Sequence, residues 1–289
     1  MADQLTEAKY WQPLDGQGAL CLLCPHRCRI KPGHSGICQA RRNVDGRLIA
    51  WSYAKITSIA LDPIEKKPLH RFYPGSQILS VGSFGCNFHC GFCQNWTIAQ
   101  QEAPFRLIQP AELVTLAGQS AKQGNIGLAY TYNEPLVGFE FVLDCARLIR
   151  QAGQKNVLVT NGFINPEPLA ELLPYIDAMN IDLKAWEAAF YTKICGGGLE
   201  AVKASITSSA AACHIEVTTL LIPGLNDQAS SIKELAHWLA TIRPDIPLHL
   251  TRHHPDFKMQ DPAPISISRL QLLAEIAGKE LQYVYLGNV

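Results

Sequence analysis

The organisation of this chain follows from one stretch, Ile78-Leu79-Ser80-Val81-Gly82-Ser83-Phe84-Gly85-Cys86-Asn87-Phe88-His89-Cys90-Gly91-Phe92-Cys93. Its apolar start predicts a buried strand, and the loop that follows carries a C-x3-C-x2-C pattern. Three thiolates, from Cys86, Cys90 and Cys93, can hold three irons of a [4Fe–4S] cluster and leave the fourth iron open. Because an electron-carrying cluster normally has four cysteine ligands, an open iron indicates chemistry at the metal.

The same cysteines admit one alternative. His89 lies between Cys86 and Cys90, and three thiolates with one imidazole are a common set of zinc ligands. The sequence therefore leaves a zinc knuckle open beside the iron–sulfur cluster.

From Ile78 onward, apolar β-branched runs alternate with helical patterns. The predicted strands are 78–85, 127–132, 156–160, 178–183, 214–222, 247–251 and 281–286. The predicted helices are 111–122, 137–151, 166–173, 200–211, 230–241 and 266–277. Strand starts recur about every 30 residues, as expected for βα units on a parallel sheet. About six such units predict an α/β fold, a partial (β/α)6 TIM-like barrel, and a doubly wound open sheet is the competing arrangement.

Polar side chains follow successive predicted strands: Cys86, Asn133, Glu134, Asn161, Lys184 and His253. The carboxyl ends of barrel strands meet at one face, so we expect these residues to converge there. Asp182 and Lys184 alternate along one strand and therefore share a face that points into the barrel. A charged pair in an apolar interior is costly without a ligand, which favours a functional role over a buried structural salt bridge.

The Cys86–Cys93 loop, with Phe92 before its last cysteine, resembles the C-x3-C-x-aromatic-C signature of the radical S-adenosylmethionine (SAM) superfamily. The resemblance implies that the open iron binds SAM and that electron transfer cleaves SAM to a 5′-deoxyadenosyl radical. Glu134 lies where the superfamily usually has a Gly-Gly-Glu-type motif for the SAM amino group. The resemblance implies SAM contacts for Tyr132, Asn133, Glu134, Thr160, Asn161, Asp182 and Lys184, and catalytic roles for Asp182, Lys184 and His253.

A second cysteine cluster lies near the N-terminus, where Cys21, Cys24, Cys28 and Cys38 form C-x2-C-x3-C-x9-C. Four thiolates can hold either zinc or a second [4Fe–4S] cluster, and the spacing leaves both open. A metal would organise a segment with few apolar residues. We therefore predict a cysteine-rich metal-binding extension over residues 1–70 and the barrel over 71–289. The remaining cysteines, Cys145, Cys195 and Cys213, are isolated and are expected to pack as small hydrophobic residues.

Three features point to one family within this superfamily: the N-terminal cysteine pattern, the segment Asp62-Pro63-Ile64-Glu65-Lys66-Lys67-Pro68 and the motif Tyr130–Pro135. They are similar to the radical SAM enzyme of the AmmeMemoRadiSam system, which is related to pyruvate formate-lyase activating enzymes. This implies hydrogen abstraction from a protein or peptide, a reductant such as flavodoxin or ferredoxin, and partners of the Memo and Amme types. Members of that family usually continue past the Tyr285–Asn288 segment into a Cys-x2-Cys tail, whereas this sequence ends at Val289.

The alternative function is non-catalytic: an iron–sulfur or zinc protein that senses redox state or acts as a scaffold. Such a protein has no need of an inward-facing Asp182 and Lys184. Substitution of Lys184 is therefore expected to separate the two functions.

The composition of the chain bears on where the protein is located and on which partners it binds. Lys+Arg and Asp+Glu both total 25, so no basic field favours nucleic acid or an anionic membrane. No apolar stretch approaches the roughly 18 residues that span a bilayer, and the start Met1–Glu7 lacks the features of a signal peptide. The expected location is the cytoplasm, where ten cysteines indicate metal ligands or reactive thiols rather than disulfides.

Overall fold

The computed structural model describes residues 5–289. Its N-terminal part is built from short strands: β1 (Trp11–Leu14), β2 (Gly18–Cys21), β3 (Arg29–Ile30), β4 (Arg41–Val44), β5 (Arg47–Ala50) and β6 (Lys55–Ile56). Strands β1, β2 and β3 form an antiparallel sheet, and β4 and β5 form a hairpin. Ala19 and Ile30 of these strands belong to the same buried apolar cluster as Leu128 of the main sheet. The cysteine-rich segment therefore packs directly on the barrel.

The remaining strands are β7 (Ser58–Pro63), β8 (Gln77–Gly82), β9 (Arg106–Leu107), β10 (Asn125–Tyr130), β11 (Lys155–Thr160), β12 (Ala178–Asp182), β13 (His214–Leu221), β14 (Leu248–Arg252) and β15 (Val284–Gly287). The helices are α1 (Trp96–Ala99), α2 (Pro110–Gln119), α3 (Phe139–Gln151), α4 (Pro166–Leu172), α5 (Ala188–Phe190), α6 (Leu199–Ala210), α7 (Ala229–Ile242) and α8 (Ile267–Ala277). A π-helical turn, Tyr191–Cys195, continues α5.

The central sheet has eight strands in the order β15-β14-β13-β12-β11-β10-β8-β7. Strands β8 and β10 to β15 are parallel to their neighbours, and β7 pairs antiparallel with β8 at the edge. The parallel strands follow chain order without the reversal that marks a doubly wound sheet. The predicted α/β class, a mainly parallel sheet of the partial TIM-barrel type, is confirmed.

Each predicted strand and helix of the barrel is present, with its ends displaced by a few residues. The strands are continuous apolar runs because helices cover one face and the barrel interior the other. Helix α2 begins at a capping box in which the backbone N–H of Gln109 donates to Glu112.

Strand β7 was not predicted. It lies inside the predicted 1–70 extension and yet belongs to the main sheet, and the 1–70 and 71–289 boundary itself stays a prediction. Residues 1–4, which include the start of the segment tested for a signal peptide, lie outside the described residues. Within residues 5–289, the structure contains no helix with the length and apolar character needed to traverse a bilayer.

Candidate functional site

The loop after β8 brings its cysteines to the carboxyl ends of the parallel strands. Cys86, Cys90 and Cys93 line a cavity of about 370 Å³, a size typical of small-molecule sites. Within residues 5–289, no three His, Cys, Asp or Glu side chains form a group suited to one metal ion. Three cysteines on the wall of one cavity match the ligand set of a cubane cluster that keeps one iron open.

Two asparagines from neighbouring strand ends hold the cysteine loop. Asn133 accepts a hydrogen bond from Ser83 N at 2.9 Å and donates to Gly85 O at 3.1 Å. Asn161 Nδ2 donates to Asn87 Oδ1 at 2.8 Å and lies 3.7 Å from Cys86 Sγ. Both residues were predicted as SAM contacts, and both line the cavity. In the structure they also position the residues on either side of Cys86.

Glu134 lines the cavity as a buried carboxylate that is only 4% exposed. It accepts hydrogen bonds from Thr160 Oγ1 at 2.6 Å, Asn161 N at 2.7 Å and Leu136 N at 3.0 Å. Burial raises the pKa of Glu134 to about 7 in spite of these donors. A cationic ligand in the cavity would supply the missing opposite charge.

Asp182 and Lys184 line the cavity together, as their spacing predicts. Lys184 Nζ donates to Asp182 Oδ2 at 2.7 Å. The backbone of Lys184 is held from both sides, since its N–H donates to Tyr191 Oη at 2.8 Å and its carbonyl accepts from Asn226 Nδ2 at 2.7 Å. Burial opposes the charge of Lys184, but the Asp182 carboxylate raises the lysine pKa above its ordinary value. The cavity therefore contains one fixed cation beside an anion.

Tyr132 links the cavity to the unpredicted edge strand. Its backbone is left-handed, with φ of 70°, and its hydroxyl donates to Asp62 Oδ2 at 2.7 Å. Lys67 Nζ donates to the same oxygen at 2.8 Å. Burial opposes ionisation of Asp62, but the hydrogen bonds from Lys67 and Tyr132 lower its pKa to about 2. Lys66, next to this group, lines the cavity and has a largely exposed side chain.

Sequence reasoning missed the placement of Asp62 and Lys66, because no local period marks β7, which joins the main sheet at its edge by pairing with β8. It also missed Cys195, which packs behind the cluster loop. The Cys195 carbonyl accepts from His89 N at 2.7 Å, and a hydrogen bond from the Cys195 thiol lowers the pKa of Cys90. Cysteine spacing alone carries no signal for such a contact.

Neither His253, the predicted catalytic histidine, nor His89, the histidine of the zinc alternative, is among the residues that line the cavity. His253 is 1% exposed, and both of its ring nitrogens are buried without a hydrogen-bond partner among the described residues. His253 is not among the residues that line the cavity. His89, the imidazole of the zinc alternative, is exposed and is hydrogen-bonded to Gln100 Oε1 at 3.0 Å.

The four N-terminal cysteines, Cys21, Cys24, Cys28 and Cys38, line a second and smaller cavity, as their spacing predicts. Burial raises the pKa of the Cys24 and Cys38 thiols to about 12. The guanidinium of Arg41, which is buried and paired with Glu140, lies 3.5 Å from Cys21 Sγ. Metal ligation requires thiolates, so a metal bound here would displace protons from these cysteines.

Comparison with known proteins agrees with this architecture. The sequence profile described as "Radical SAM superfamily" matches residues 80–239, more than half of the chain. The uncharacterized protein MJ0808 of Methanocaldococcus jannaschii is 42% identical over 291 residues, which cover 99% of this chain and 86% of that protein.

Solved structures show the same fold. A radical SAM methyltransferase from Sphaerobacter thermophilus is similar with a TM-score of 0.58 and 16% identity, over 74% of this chain and 67% of that chain. QueE from Escherichia coli is similar with a TM-score of 0.52 and 14% identity, over 81% of this chain and 93% of that chain. The matched profile includes the Cys86–Cys93 loop, Glu134 and Asp182–Lys184. The chain therefore belongs to the radical SAM superfamily.

Proposed function

We propose that this protein cleaves SAM reductively at a [4Fe–4S] cluster held by Cys86, Cys90 and Cys93. One observation carries the proposal: the three cysteines line the same cavity as Glu134 and the Asp182–Lys184 pair. When bound, the cluster supplies the electron that breaks a sulfonium C–S bond of SAM and yields a 5′-deoxyadenosyl radical.

The chain's own residues bind, orient and shield the substrate. Glu134 is a buried carboxylate without a cationic partner among the described residues, and it suits the SAM ammonium group. Lys184 and Asp182 offer one charge of each sign to the polar groups of SAM. The rings of Phe88 and Phe92 are buried beside the cysteines and keep water from the reacting atoms.

For the target we propose hydrogen abstraction from a protein or peptide, in the manner of an activating enzyme. The support is the resemblance carried by the Asp62–Pro68 segment and the Tyr130–Pro135 motif, together with the cavity's position at the carboxyl ends of the strands. On the same ground we propose a flavodoxin or ferredoxin as reductant and proteins of the Memo and Amme types as partners. For the N-terminal cysteines we propose a bound metal, either zinc or a second cluster.

Anaerobic reconstitution tests the proposal. The iron-replete protein, given SAM and dithionite, is expected to form 5′-deoxyadenosine, measured by liquid chromatography with mass detection. Cys90→Ser should reduce product to background, whereas Cys213→Ser, which alters an isolated thiol, should not. No product from iron-replete wild type would contradict the proposal.

Lys184→Ala separates this function from the non-catalytic alternative. We expect roughly 10- to 100-fold weaker SAM binding, because a charge-assisted contact contributes about 1.5–3 kcal/mol. Equilibrium dialysis with SAM measures the change. A redox sensor or scaffold would bind no SAM, and its metal content and partners would be unaffected by the substitution.

A further inference from the structure

The N-terminal cysteine site lies against both neighbours of Cys86. Gly85 has a φ of 93°, and a Cβ at this position would stand 2.3 Å from the carbonyl oxygen of Cys38. On the other side of Cys86, the Asn87 carbonyl accepts a hydrogen bond from His26 Nε2 at 2.7 Å. Consecutive Cα atoms are about 3.8 Å apart, so each contact is one short step along the chain from Cys86. The two cysteine sites therefore approach each other on both sides of Cys86.

The polar side chain of Asn87 completes this connection. It lines the N-terminal cavity, and its Oδ1 accepts from Asn161 Nδ2, which also lies 3.7 Å from Cys86 Sγ. Hydrogen-bonded groups therefore run without a break from the wall of one site to a ligand of the other. Asn87 and Asn161 are buried, and solvent screens charges weakly across buried groups.

The outer face of the N-terminal site is cationic. Cys28 and Ile30 line the cavity, while the alternate residues Arg27, Arg29 and Lys31 are exposed. From Cys28 to Lys31 this is the alternation of an extended chain, whereas Arg27 has a left-handed backbone, with φ of 47°, just before it. In the part of the chain that the structure describes, none of these three cations forms an ion pair. In a chain of zero net charge, this concentration of positive charge beside a thiol site is distinctive.

The four cysteines match the ligand set of an electron-carrying cluster. Four cysteines complete the coordination of a cubane cluster, in contrast to the three of the core loop. Arg41 Nη1 lies 3.5 Å from Cys21 Sγ, and N–H donors to ligand sulfur tune the reduction potential of such clusters. The pairing of Arg41 with Glu140 fixes the guanidinium in place.

We propose that Cys21, Cys24, Cys28 and Cys38 hold a second [4Fe–4S] cluster through which an acidic one-electron donor reduces the core site. Arg27, Arg29 and Lys31 attract the donor by charge complementarity. One electron leaves the donor, passes through the four-cysteine site and arrives at the core site across Gly85–Asn87. No covalent bond changes and no proton moves. The inference rests on the proposed function, since it concerns the electron that SAM cleavage consumes.

A charge variant tests the donor surface. The triple variant Arg27→Gln, Arg29→Gln, Lys31→Gln leaves every cysteine in place. At low salt we expect reduced flavodoxin, an acidic one-electron donor, to bleach its iron–sulfur absorption roughly tenfold more slowly than in wild type, as loss of electrostatic steering predicts. The matched control, Lys122→Gln, Lys193→Gln, Lys279→Gln, removes three exposed cations elsewhere and should match wild type. Equal rates for the two triple variants would overturn the proposal.

Metal analysis and electron paramagnetic resonance test the second cluster. Anaerobically reconstituted wild type is expected to contain about eight irons per chain, four per cubane, and to show magnetic interaction between two reduced clusters. Cys24→Ser, Cys28→Ser should contain about four irons and show the signal of one isolated cluster. Zinc at the N-terminal site, or about four irons in iron-replete wild type, would overturn the proposal.

Failure of this inference can be told apart from failure of the proposed function. Dithionite is a small reductant that needs no protein docking surface, so SAM cleavage by wild type with dithionite reports on the core site alone. If 5′-deoxyadenosine forms while the N-terminal site holds zinc, the core function stands and the electron path fails. If both clusters are present and no 5′-deoxyadenosine forms with dithionite, the proposed function is contradicted. The electron path is then still decided by the rate at which flavodoxin bleaches the wild type and the triple variants.

Discussion

One buried glutamate lies at each end of the parallel sheet, and the pKa values of the two are shifted in opposite directions. At the carboxyl end, Glu134 receives neutral donors only, and burial raises its pKa to about 7. At the amino end, Glu216 is 0% exposed and accepts from His249 Nε2 at 2.6 Å and His214 Nε2 at 3.0 Å.

The backbone N–H groups of His70 and Arg71 also donate to Glu216. Burial opposes its ionisation, but the hydrogen bonds from the two histidines and the two N–H groups lower the pKa of Glu216 to about 2. Hydrogen bonds thus favour the charged form of Glu216, whereas those to Glu134 do not outweigh its burial. The amino end of a barrel serves stability and the carboxyl end serves chemistry.

The largest effect is expected at the amino end. Glu216→Ala leaves four donors without their acceptor, and we expect the free energy of unfolding to fall by about 3–5 kcal/mol, because each unsatisfied buried donor costs about 1–3 kcal/mol. Denaturant titration measures it. Glu200→Ala, with its side chain 82% exposed, is the matched control and should change stability by less than about 0.5 kcal/mol. A loss of SAM binding by folded Glu216→Ala protein would contradict the division of roles between the two ends.

The next effect lies at the carboxyl end. Glu134→Gln keeps the shape of the side chain and removes its negative charge. We expect roughly 10- to 100-fold weaker SAM binding, since a charge-assisted hydrogen bond contributes about 1.5–3 kcal/mol. Equilibrium dialysis against SAM measures the affinity, and Glu65→Gln, a carboxamide substitution outside the cavity wall, serves as the control. Unchanged affinity would show that Glu134 is structural, like Glu216.

The pH dependence of stability should have opposite signs at the two ends. The pKa of Glu216 is lowered from 4.5 to about 2, so its stabilisation is complete above pH 4.5 and is lost as pH falls toward 2. The pKa of Glu134 is raised from 4.5 to about 7, so the folded state holds its proton longer and stability declines as pH rises through that window.

Denaturant titrations over this range measure both signs. The stability difference between wild type and Glu216→Ala should shrink below pH 4.5. The free energy of unfolding of Glu134→Gln should rise relative to that of wild type as the pH increases from 4.5 to 7. If the stability of both variants, relative to wild type, changed with pH in the same direction, the opposite pKa shifts of Glu216 and Glu134 would be contradicted.

The smallest effect concerns the support of the cavity wall. Tyr132→Phe removes the hydroxyl that donates to Asp62 while Lys67 retains its own contact. We expect a loss of about 1 kcal/mol in the free energy of unfolding, the usual contribution of one hydrogen bond. Thermal unfolding measures it, and Tyr283→Phe, at a more exposed hydroxyl, is the control. No change relative to the control would mean that water replaces the Tyr132 hydroxyl.

Much of the fold was predictable because its signals are local. Apolar runs and amphipathic stretches reveal the parallel strands and their helices within a short window. Local signals also predicted that several polar residues share one face. These signals are the Cys86–Cys93 spacing, the alternation of Asp182 and Lys184, and the position of Glu134 after a strand. The structure brings all of these residues to one cavity.

The remainder was not predictable from local patterns. Strand β7 carries no clear period, and its pairing with β8 is an edge contact that sequence alternation does not mark. His253 follows a strand like the other candidates, yet it is buried outside the residues that line the cavity, because the direction of a side chain beyond a strand end depends on the loop that covers it. The contact of Cys195 with Cys90 likewise joins residues far apart in the chain.

By itself, the sequence determined the parallel α/β architecture, the two groups of cysteines and the polar residues at the strand ends, since each depends on neighbours a few positions away. Only the tertiary structure decided that Gly85 and Asn87 lie against the N-terminal cysteine site, and that the pKa of Glu216 is lowered while that of Glu134 is raised. The physical reason is that burial and electrostatic partners come from distant segments, and their effect on a charge depends on distances that only the folded chain sets.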